Sequence, residues 1–271
     1  MKKMKIEYLH EQGIGCINED AVFVNGNAFA VFDGATSLDG HSLEGGKTGG
    51  YHAARIASRI FQHNNDSLRN LAEKANGAIL NKMLQKGVDV RDKAALWSTS
   101  AAVVRIHKNA LEWLQTGDSL IMLIYADGSY KIPIHDYDHD QETLWMWKRM
   151  ADHTDLPIHQ ALKDQIRKVR ADMNISYGAL NGERTYLDFL NSGTESLEGV
   201  RHILLFTDGL FIPKPDPGAH GNFDIFVDLF QKGGLPEVHN HVRGLELSDP
   251  KCRTYPRFKL HDDIAAVSVS L

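Results

Sequence analysis

Short runs of apolar residues, each bounded by turn-forming residues, recur along this chain and predict β-strands. Residues 20–24 and 27–32 flank Asn25 and Gly26, and Asn-Gly between two apolar runs is the strongest short-range signal of a β-hairpin. Similar runs predict further strands at 99–106, 110–115, 119–125, 129–134, 202–207 and 264–271. Because short turns join the first four of these runs, they are predicted to form an antiparallel meander.

Helices are predicted where apolar positions return at helical intervals. The segment 45–61 has this spacing, and a second helix is predicted over 67–86, with Ser67 as its N-cap. Two further helices are predicted at 156–170 and 224–231. Strands in runs and helices in pairs favour an α+β layer arrangement with antiparallel sheets.

Length and composition are those of an ordinary globular protein. The chain has 271 residues, of which 42% are hydrophobic and 24% charged, so it can bury a sizeable core. Residues 135–160 are polar and 174–199 are irregular, but neither is a low-complexity linker, and the sequence contains no internal repeat. These features predict a single domain covering 1–271.

Charge and cysteine content argue against several classes of protein. The net charge is −5 and no basic stretch is long enough to follow a phosphate backbone, so nucleic acid is not expected as the main partner. The longest apolar run, about seven residues at 120–126, is far too short to span a membrane, and the N-terminus lacks the apolar stretch of a signal peptide. Cys16 and Cys252 form neither a disulfide framework nor a zinc pattern, which predicts a cytoplasmic protein of unspecified oligomeric state.

The first predicted hairpin carries an acidic residue at each of its open ends. A two-residue turn at 25–26 pairs Asp20 with Val31, and Asp33 follows Val31 by two positions. Asp20 and Asp33 are therefore expected at the same end of neighbouring strands. Two carboxylates this close repel each other unless a cation lies between them or one of them holds a proton.

A second pair of acidic residues is predicted at the ends of two later strands. Asp208, followed by glycine, ends the strand 202–207, and Asp262 stands just before the strand 264–271. If these strands are antiparallel neighbours, both acids reach one edge of a sheet. The alternative for each Asp-Gly pair is an ordinary turn, which is the expectation for Asp127, where a new strand starts at once.

The side chains of this predicted cluster are all oxygen donors. Oxygen ligands without neighbouring His or Cys suit Mg²⁺ or Mn²⁺ rather than zinc. Two such ions can activate a bridging water and neutralise a phosphoryl group during in-line displacement. Gly34 follows Asp33 and has no side chain, so its carbonyl can approach an ion closely. The four aspartates predict a binuclear metal site.

Short motifs in a fixed order along the chain resemble those of the metal-dependent PP2C (PPM) family of serine/threonine phosphatases. The matching segments are Asn18–Asp20 for N-E-D, Val31–Gly34 for V-x-D-G, Ser98–Ala102 and Thr116–Ser119 for the G-S-T-A and G-D-S pair, Phe206–Leu210 for S-D-G-L, and Asp262–Ile264 for the terminal D-N/D-D. Each motif alone is weak, but their shared order extends over nearly the whole chain.

The resemblance implies a four-layer αββα sandwich, two packed antiparallel sheets flanked by helix pairs. It implies hydrolysis of phosphoserine or phosphothreonine in a phosphoprotein by metal-activated water, without a covalent intermediate, and hence a role in signalling. The implied ligands of two central Mg²⁺ or Mn²⁺ ions are Asp20, Asp33, the Gly34 carbonyl, Asp208 and Asp262. Asp118, together with Asp208, is implied to hold a third, looser ion.

Three positions depart from the family pattern. Most members carry a phosphate-binding Arg where this chain has Gly15, many carry His where it has Ala35, and bacterial members often carry Asp where it has Ile212. A bidentate guanidinium on a phosphate is hard to replace. The departures predict intact metal binding with weak or substrate-restricted activity. The candidate substitutes for the missing Arg are Lys47, His41 and Arg55.

Two alternative functions remain open. The first is a non-catalytic relative, a binding or regulatory module that keeps the fold; Gly15 and Ala35 favour it. The second and weaker one is a nucleotide hydrolase that uses 46–48, Gly-Lys-Thr, as a phosphate loop. The first glycine required by such a loop falls at His41, so flexible glycines at a helix entry explain the segment better.

Overall fold

The computed structural model describes residues 4–36, 38, 46–63, 66–135 and 138–271. The strands are β1 (Lys5–Glu11), β2 (Ala21–Asn25), β3 (Ala28–Phe32), β4 (Ala101–His107), β5 (Ala110–Thr116), β6 (Leu120–Tyr125), β7 (Tyr130–Lys131), β8 (Asn191–Ser196), β9 (Val200–Phe206) and β10 (Ile264–Ser270). The helices are α1 (Gly49–Gln62), α2 (Leu68–Gln85), α3 (Gln141–Met150), α4 (Ile158–Ala161), α5 (Lys163–Ala171) and α6 (Phe223–Ser248).

The strands form two five-stranded antiparallel sheets. The first has the order β1-β10-β9-β6-β7, and the second has the order β2-β3-β4-β5-β8. Their facing surfaces pack into one core, to which β3 contributes Phe29 and Val31, β6 contributes Ile121, and β9 contributes Leu205. Helices cover the other face of β3, so all five of its residues are buried and the strand is continuously apolar rather than alternating.

Helices complete the four layers predicted from the family resemblance. Ala57 and Phe61 of α1 and Ala75 of α2 share a core with Phe32 of β3. On the outer face of the first sheet, α6 packs against β9 and β10, and a kink at residues 233–234 divides α6 into two segments. The αββα arrangement is therefore confirmed.

The predicted meander is wrong, because the chain changes sheets in its middle. Strands β4 and β5 pair in the second sheet, whereas β6 and β7 pair in the first. The crossing occurs at Gly117, whose φ of +72° favours glycine. A Cβ there would lie 2.6 Å from Cβ of Ser100, so the turn packs tightly. The crossing leaves Asp118 at the junction between the two sheets.

The hairpin register differs from the prediction by two residues. Val22, not Asp20, pairs with Val31, and the turn lies at 26–27, where φ is +61° at Gly26 and not positive at the next residue. A slip of two keeps every side chain on its predicted face, so hydrophobic alternation alone does not distinguish the two registers. Tertiary contacts favour the observed one, because the Asn27 side chain donates to the Ile106 carbonyl oxygen at 2.8 Å.

Several predicted elements have different limits. Helix α1 begins at Gly49 with Thr48 as its N-cap, and Gly45, the predicted start, lies outside the described residues. The helix predicted over 156–170 is interrupted at Leu162, which is buried, and so becomes α4 and α5. Ser67 is the N-cap of α2, as predicted.

The first segment of α6 agrees with the helix predicted at 224–231, whereas its second segment, α3, β1 and β8 were not predicted. None of the helices in the described ranges is long and apolar enough to cross a membrane.

Candidate metal centre

The strand pairing places the predicted acidic residues at two strand junctions. Ala21 pairs with Phe32, so Asp20 and Asp33 flank the last pair of the β2–β3 hairpin. Strands β9 and β10 are antiparallel neighbours, so Asp208 at the end of β9 lies at the same edge as Asp262, which precedes β10. Both junctions have the geometry expected from the sequence, although the hairpin register is different.

A hydrogen bond connects these two junctions across the sandwich. Thr207 Oγ1 donates to Asp20 Oδ2 at 2.7 Å, which joins the end of β9 to the start of β2. Asp33 and Asp208 lie close enough to act electrostatically on each other, and the negative charge of Asp118 acts on both. The two sheets therefore bring five aspartates, including Asp262, to one end of the molecule.

The cluster holds more negative charge than its surroundings stabilise. Burial, together with the nearby charges of Asp262 and Asp118, raises the pKa of Asp208 to about 8. Burial also raises the pKa of Asp33, as do the charges of Asp208 and Asp20. For Asp20, burial and the neighbouring acids raise the pKa despite the hydrogen bond from Thr207, which lowers it. A bound cation would remove this repulsion.

Glycine is required at position 34 for a reason that the sequence did not reveal. A Cβ at Gly34 would lie 2.5 Å from the Gly50 carbonyl oxygen and 2.6 Å from that of Glu19. The close approach brings the start of α1 against the end of β3. Glu19 is buried there and accepts hydrogen bonds from Thr36 Oγ1, at 2.5 Å, and from Thr48 Oγ1.

A lysine contacts the cluster, and the sequence analysis did not identify it. Lys259 Nζ donates to Asp262 Oδ1 at 2.7 Å. Burial acts to lower the pKa of Lys259, but the charges of Asp262, Glu19 and Asp263 outweigh this effect and raise it. The available signal was a lysine three residues before a predicted ligand, which is too common a spacing to single out.

The donor set fits a hard divalent cation, although the oxygens are not arranged around one. All the clustered side chains are carboxylates, the ligands that Mg²⁺ and Mn²⁺ prefer. Within the described ranges, no group of three or more His, Cys, Asp or Glu side chains is positioned to hold an ion as it stands. Asp262 Oδ1 accepts a hydrogen bond from Lys259 Nζ, so an ion would have to bind the other oxygen of Asp262 or share Oδ1.

A cavity of about 680 Å³ opens onto the cluster. Its lining includes Asp33, Asp208, Asp262 and Lys259, and helix α5 contributes Arg170. Asp118, Lys163, Arg167 and Tyr177 also line it. The cavity can admit a phosphorylated side chain to the acidic residues.

The predicted substitutes for the missing arginine lie elsewhere. Lys47 Nζ and Arg55 Cζ lie 5.5 Å and 5.4 Å from the centre of the Tyr51 ring, and neither lines the cavity. His41 lies outside the described residues.

The segment predicted as a possible nucleotide loop makes contacts within the protein. Thr48 Oγ1 accepts from the Tyr51 amide at 3.2 Å as the N-cap of α1, and it donates to Glu19. Lys47 stacks on Tyr51. These contacts explain the Gly-Lys-Thr sequence as a capped helix start, and the rest of the loop, 39–45, lies outside the described residues.

Comparisons with known proteins agree with the family resemblance. The family model described as protein phosphatase 2C matches residues 10–233. Comparison with curated protein sequences gives no match.

Among solved structures, the chain is similar to the serine/threonine phosphatase PstP/Ppp of Mycobacterium tuberculosis, with a TM-score of 0.61 and 17% identity over 99% of this chain and 98% of that one. It is similar to the PstP catalytic domain in complex with two manganese ions, with a TM-score of 0.59 and 16% identity over 98% and 97% of the two chains. It is also similar to Stp1 of Staphylococcus aureus, with a TM-score of 0.61 and 13% identity over 100% and 96%. The family model covers most of the chain, and the fold agrees with it, so this protein belongs to the protein phosphatase 2C family.

Proposed function

We propose that this protein hydrolyses phosphoserine or phosphothreonine in proteins, using water activated at a binuclear Mg²⁺ or Mn²⁺ centre. The observation that carries the proposal is the convergence of Asp20, Asp33 and Asp208 at one end of the sandwich, beside Asp262 and Asp118. Family membership supports a phosphatase activity, and a relative solved with two manganese ions supports the choice of metal.

The proposed ligands of the two central ions are Asp20, Asp33, the Gly34 carbonyl, Asp208 and Asp262. Asp118 and Asp208 are the proposed ligands of a third ion. Bound in this cluster, such ions act as Lewis acids and lower the pKa of bound water toward neutrality. Because water is the proposed nucleophile, no side chain is proposed as a catalytic residue.

The surrounding residues orient this cluster. Thr207 holds the Asp20 carboxylate by a 2.7 Å hydrogen bond. Asp263, next to Asp262, accepts bonds of 2.7 Å from the backbone N–H groups of both Gly13 and Glu19 and thereby anchors the segment. Because such contacts restrict the rotamers of neighbouring carboxylates, they prepare the site for metal.

The cavity beside the acids suits a phosphorylated side chain on a polypeptide. Its volume of about 680 Å³ exceeds what a phosphate group needs, which leaves room for flanking residues of a peptide. Lys163 and Arg170 of α5 line it and supply positive charge for an anionic substrate. The proposal includes a signalling role, which follows from a phosphoprotein substrate, and a cytoplasmic location, which the unpaired Cys16 and Cys252 support.

Replacing a proposed ligand tests the function directly. With p-nitrophenyl phosphate and Mn²⁺, Asp33→Asn should lower kcat/KM by at least about 100-fold, because even outer-shell metal partners cost about 10–100-fold. Asp127→Asn is the matched control, since Asp127 also precedes glycine but caps an exposed turn through bonds to Ser129. Circular dichroism should show that both variants are folded. Unchanged activity in Asp33→Asn would contradict the proposal.

A non-catalytic binding module is the second candidate, favoured by Gly15 and by the absence, in the described ranges, of a ready-made ligand set. Calorimetry with Mn²⁺ and turnover of a panel of phosphothreonine peptides separate the two candidates. Tight Mn²⁺ binding without any turnover would indicate the module. Robust turnover with a micromolar KM would exclude it and would also contradict the predicted weakness on general substrates.

A further inference from the structure

We propose that Lys259 contacts the phosphate group of the substrate and so replaces the arginine that is missing at Gly15. The inference rests on the proposed function and adds a substrate-binding residue to it. Lys259 lines the cavity together with Asp33 and Asp208, and its Nζ donates to Asp262 at 2.7 Å. Its side chain is 27% exposed, so the ammonium can meet a ligand in the cavity.

The segment of Lys259 packs directly on the loop that lacks the arginine. The Ile14 amide donates to the His261 carbonyl oxygen at 3.1 Å, and the Gly13 amide donates to Asp263 Oδ1 at 2.7 Å. A Cβ at Gly13 would lie 2.4 Å from the His261 oxygen, so the two backbones touch. Position 259 is two residues away from this contact. The segment that is hydrogen-bonded to the loop of Gly15 therefore carries a positively charged side chain, although position 15 itself does not.

The chemistry of the ammonium suits this role. It has three N–H donors, and Asp262 accepts one of them. The other two can reach phosphate oxygens without breaking that bond. A phosphate dianion approaching five aspartates meets strong repulsion, and Lys259 is close enough to act electrostatically on Asp208 at the centre of the cluster.

Other cations of the cavity are less suited to the reacting phosphate. Arg167 Nη2 donates to Asp92, which lies outside the cluster of aspartates, at 2.5 Å. The positive charge of Arg170 acts electrostatically on the Tyr177 hydroxyl and on the Asp140 carboxyl group. These residues fit the flanks of a peptide, whereas Lys259 bonds directly to a proposed metal ligand.

The test compares Lys259→Met, Lys259→Arg and the control Lys232→Met in the full chain with Mn²⁺. Lys232 is exposed, pairs with Glu237 and lies outside the cavity. The measurements are the Ki of inorganic phosphate, the KM of p-nitrophenyl phosphate and the Kd of Mn²⁺ by calorimetry. Lys259→Met should raise the Ki and KM by at least about tenfold, because a charge-assisted bond to phosphate is lost. Lys259→Arg should leave both within about threefold of the parent values, because arginine keeps such a bond.

A second variant distinguishes a loss of phosphate binding from misfolding. Gly15→Arg, added to Lys259→Met, should recover phosphate affinity, and a Cβ at position 15 meets only the Ile17 carbonyl oxygen at 3.4 Å. If the phosphate Ki is unchanged in Lys259→Met while Mn²⁺ binds more tightly, Lys259 merely neutralises Asp262 and the inference is overturned. If the parent protein hydrolyses no phosphorylated substrate, the proposed function fails. Calorimetry of inorganic phosphate binding to the parent and to Lys259→Met then tests the inference about Lys259 separately.

Discussion

Asp208 illustrates how this protein maintains an unfavourable arrangement of charges. Burial and the charges of Asp262 and Asp118 raise its pKa to about 8, so the ionised carboxylate is destabilised in the folded protein. A carboxylate buried against its own solvation lowers the stability of the protein when no cation is bound. Lys259 offsets part of this charge through its bond to Asp262.

Removing one charge should therefore stabilise the metal-free protein. In EDTA, Asp208→Asn should raise the free energy of unfolding by about 1 kcal/mol, the equivalent of somewhat less than one pKa unit of relieved repulsion. With Mn²⁺ at 100 times its Kd, the parent should gain about 2.7 kcal/mol, and the variant should gain nothing. Urea unfolding measures both quantities. A less stable Asp208→Asn in EDTA, with Asp127→Asn unchanged, would contradict this electrostatic account.

At the scale of elements, the site depends on how closely α1 approaches β3. A Cβ at Gly34 would lie 2.5 Å from the Gly50 carbonyl oxygen, and a Cβ at Gly50 would lie 2.6 Å from that of Ala35. Thr48 caps the helix at the same point and bonds to Glu19. The strand end that carries Asp33 is thus positioned by backbone contact with a helix.

Glycine-to-alanine substitutions test this contact. Gly34→Ala should destabilise the protein by about 1–3 kcal/mol, because backbone must shift to admit the methyl group. Gly77→Ala is the matched control: Gly77 lies inside α2, and a Cβ there meets nothing within 4 Å. It should stabilise the protein by about 0.5–1 kcal/mol through helix propensity. Thermal unfolding of both variants gives the comparison, and equal effects would show that the close approach is unimportant.

At the scale of the molecule, one buried arginine links three parts of the first sheet layer. Arg243 of α6 donates to Glu11 of β1 at 2.9 Å, to Glu246 at 2.7 Å and to the Asp262 carbonyl oxygen at 2.8 Å. Arg243 therefore ties the outer helix to the edge strand and to the segment of Asp262, and His239 supports the first of these links with a 2.7 Å bond to Glu11. Breaking a buried ionic network leaves its partners unpaired, which is costly.

Arg243→Met should reduce the free energy of unfolding by about 3–5 kcal/mol, the usual cost of removing one partner of a buried ion pair. It should also weaken Mn²⁺ binding, because the segment of Asp262 loses an anchor. The control Arg201→Met removes an exposed cation and should change stability by less than about 0.5 kcal/mol. Urea unfolding and Mn²⁺ calorimetry measure these effects, and comparable stability of the two variants would refute the proposed linkage.

The single domain predicted over 1–271 can be tested at this scale as well. The two sheets share one core, and Thr207 bonds to Asp20 across them, so we propose that the chain unfolds as a unit. Fluorescence and circular dichroism should report coincident urea transitions. Two separate transitions would divide the chain into independent domains.

Prediction from the sequence succeeded where an element has a buried face with a regular period. β3, β9 and β10 are almost wholly buried, and their apolar runs are easy to recognise. β1 and β8 are edge strands without a single buried residue, so they lack that signal. The missed α3 buries only Thr143 and Trp147.

The short motifs and their order along the chain were sufficient to indicate the family, the layers and the aspartates at strand ends. Strand ends and turn residues are short-range features of a sequence, which is why they could be recognised. Long-range packing determined the rest. The crossing at Gly117 that places Asp118, the two-residue register shift and the hydrogen bond from Thr207 to Asp20 all depend on residues whose spacing along the chain carries no period. Such contacts depend on which surfaces meet in space, and a local pattern contains no information about that.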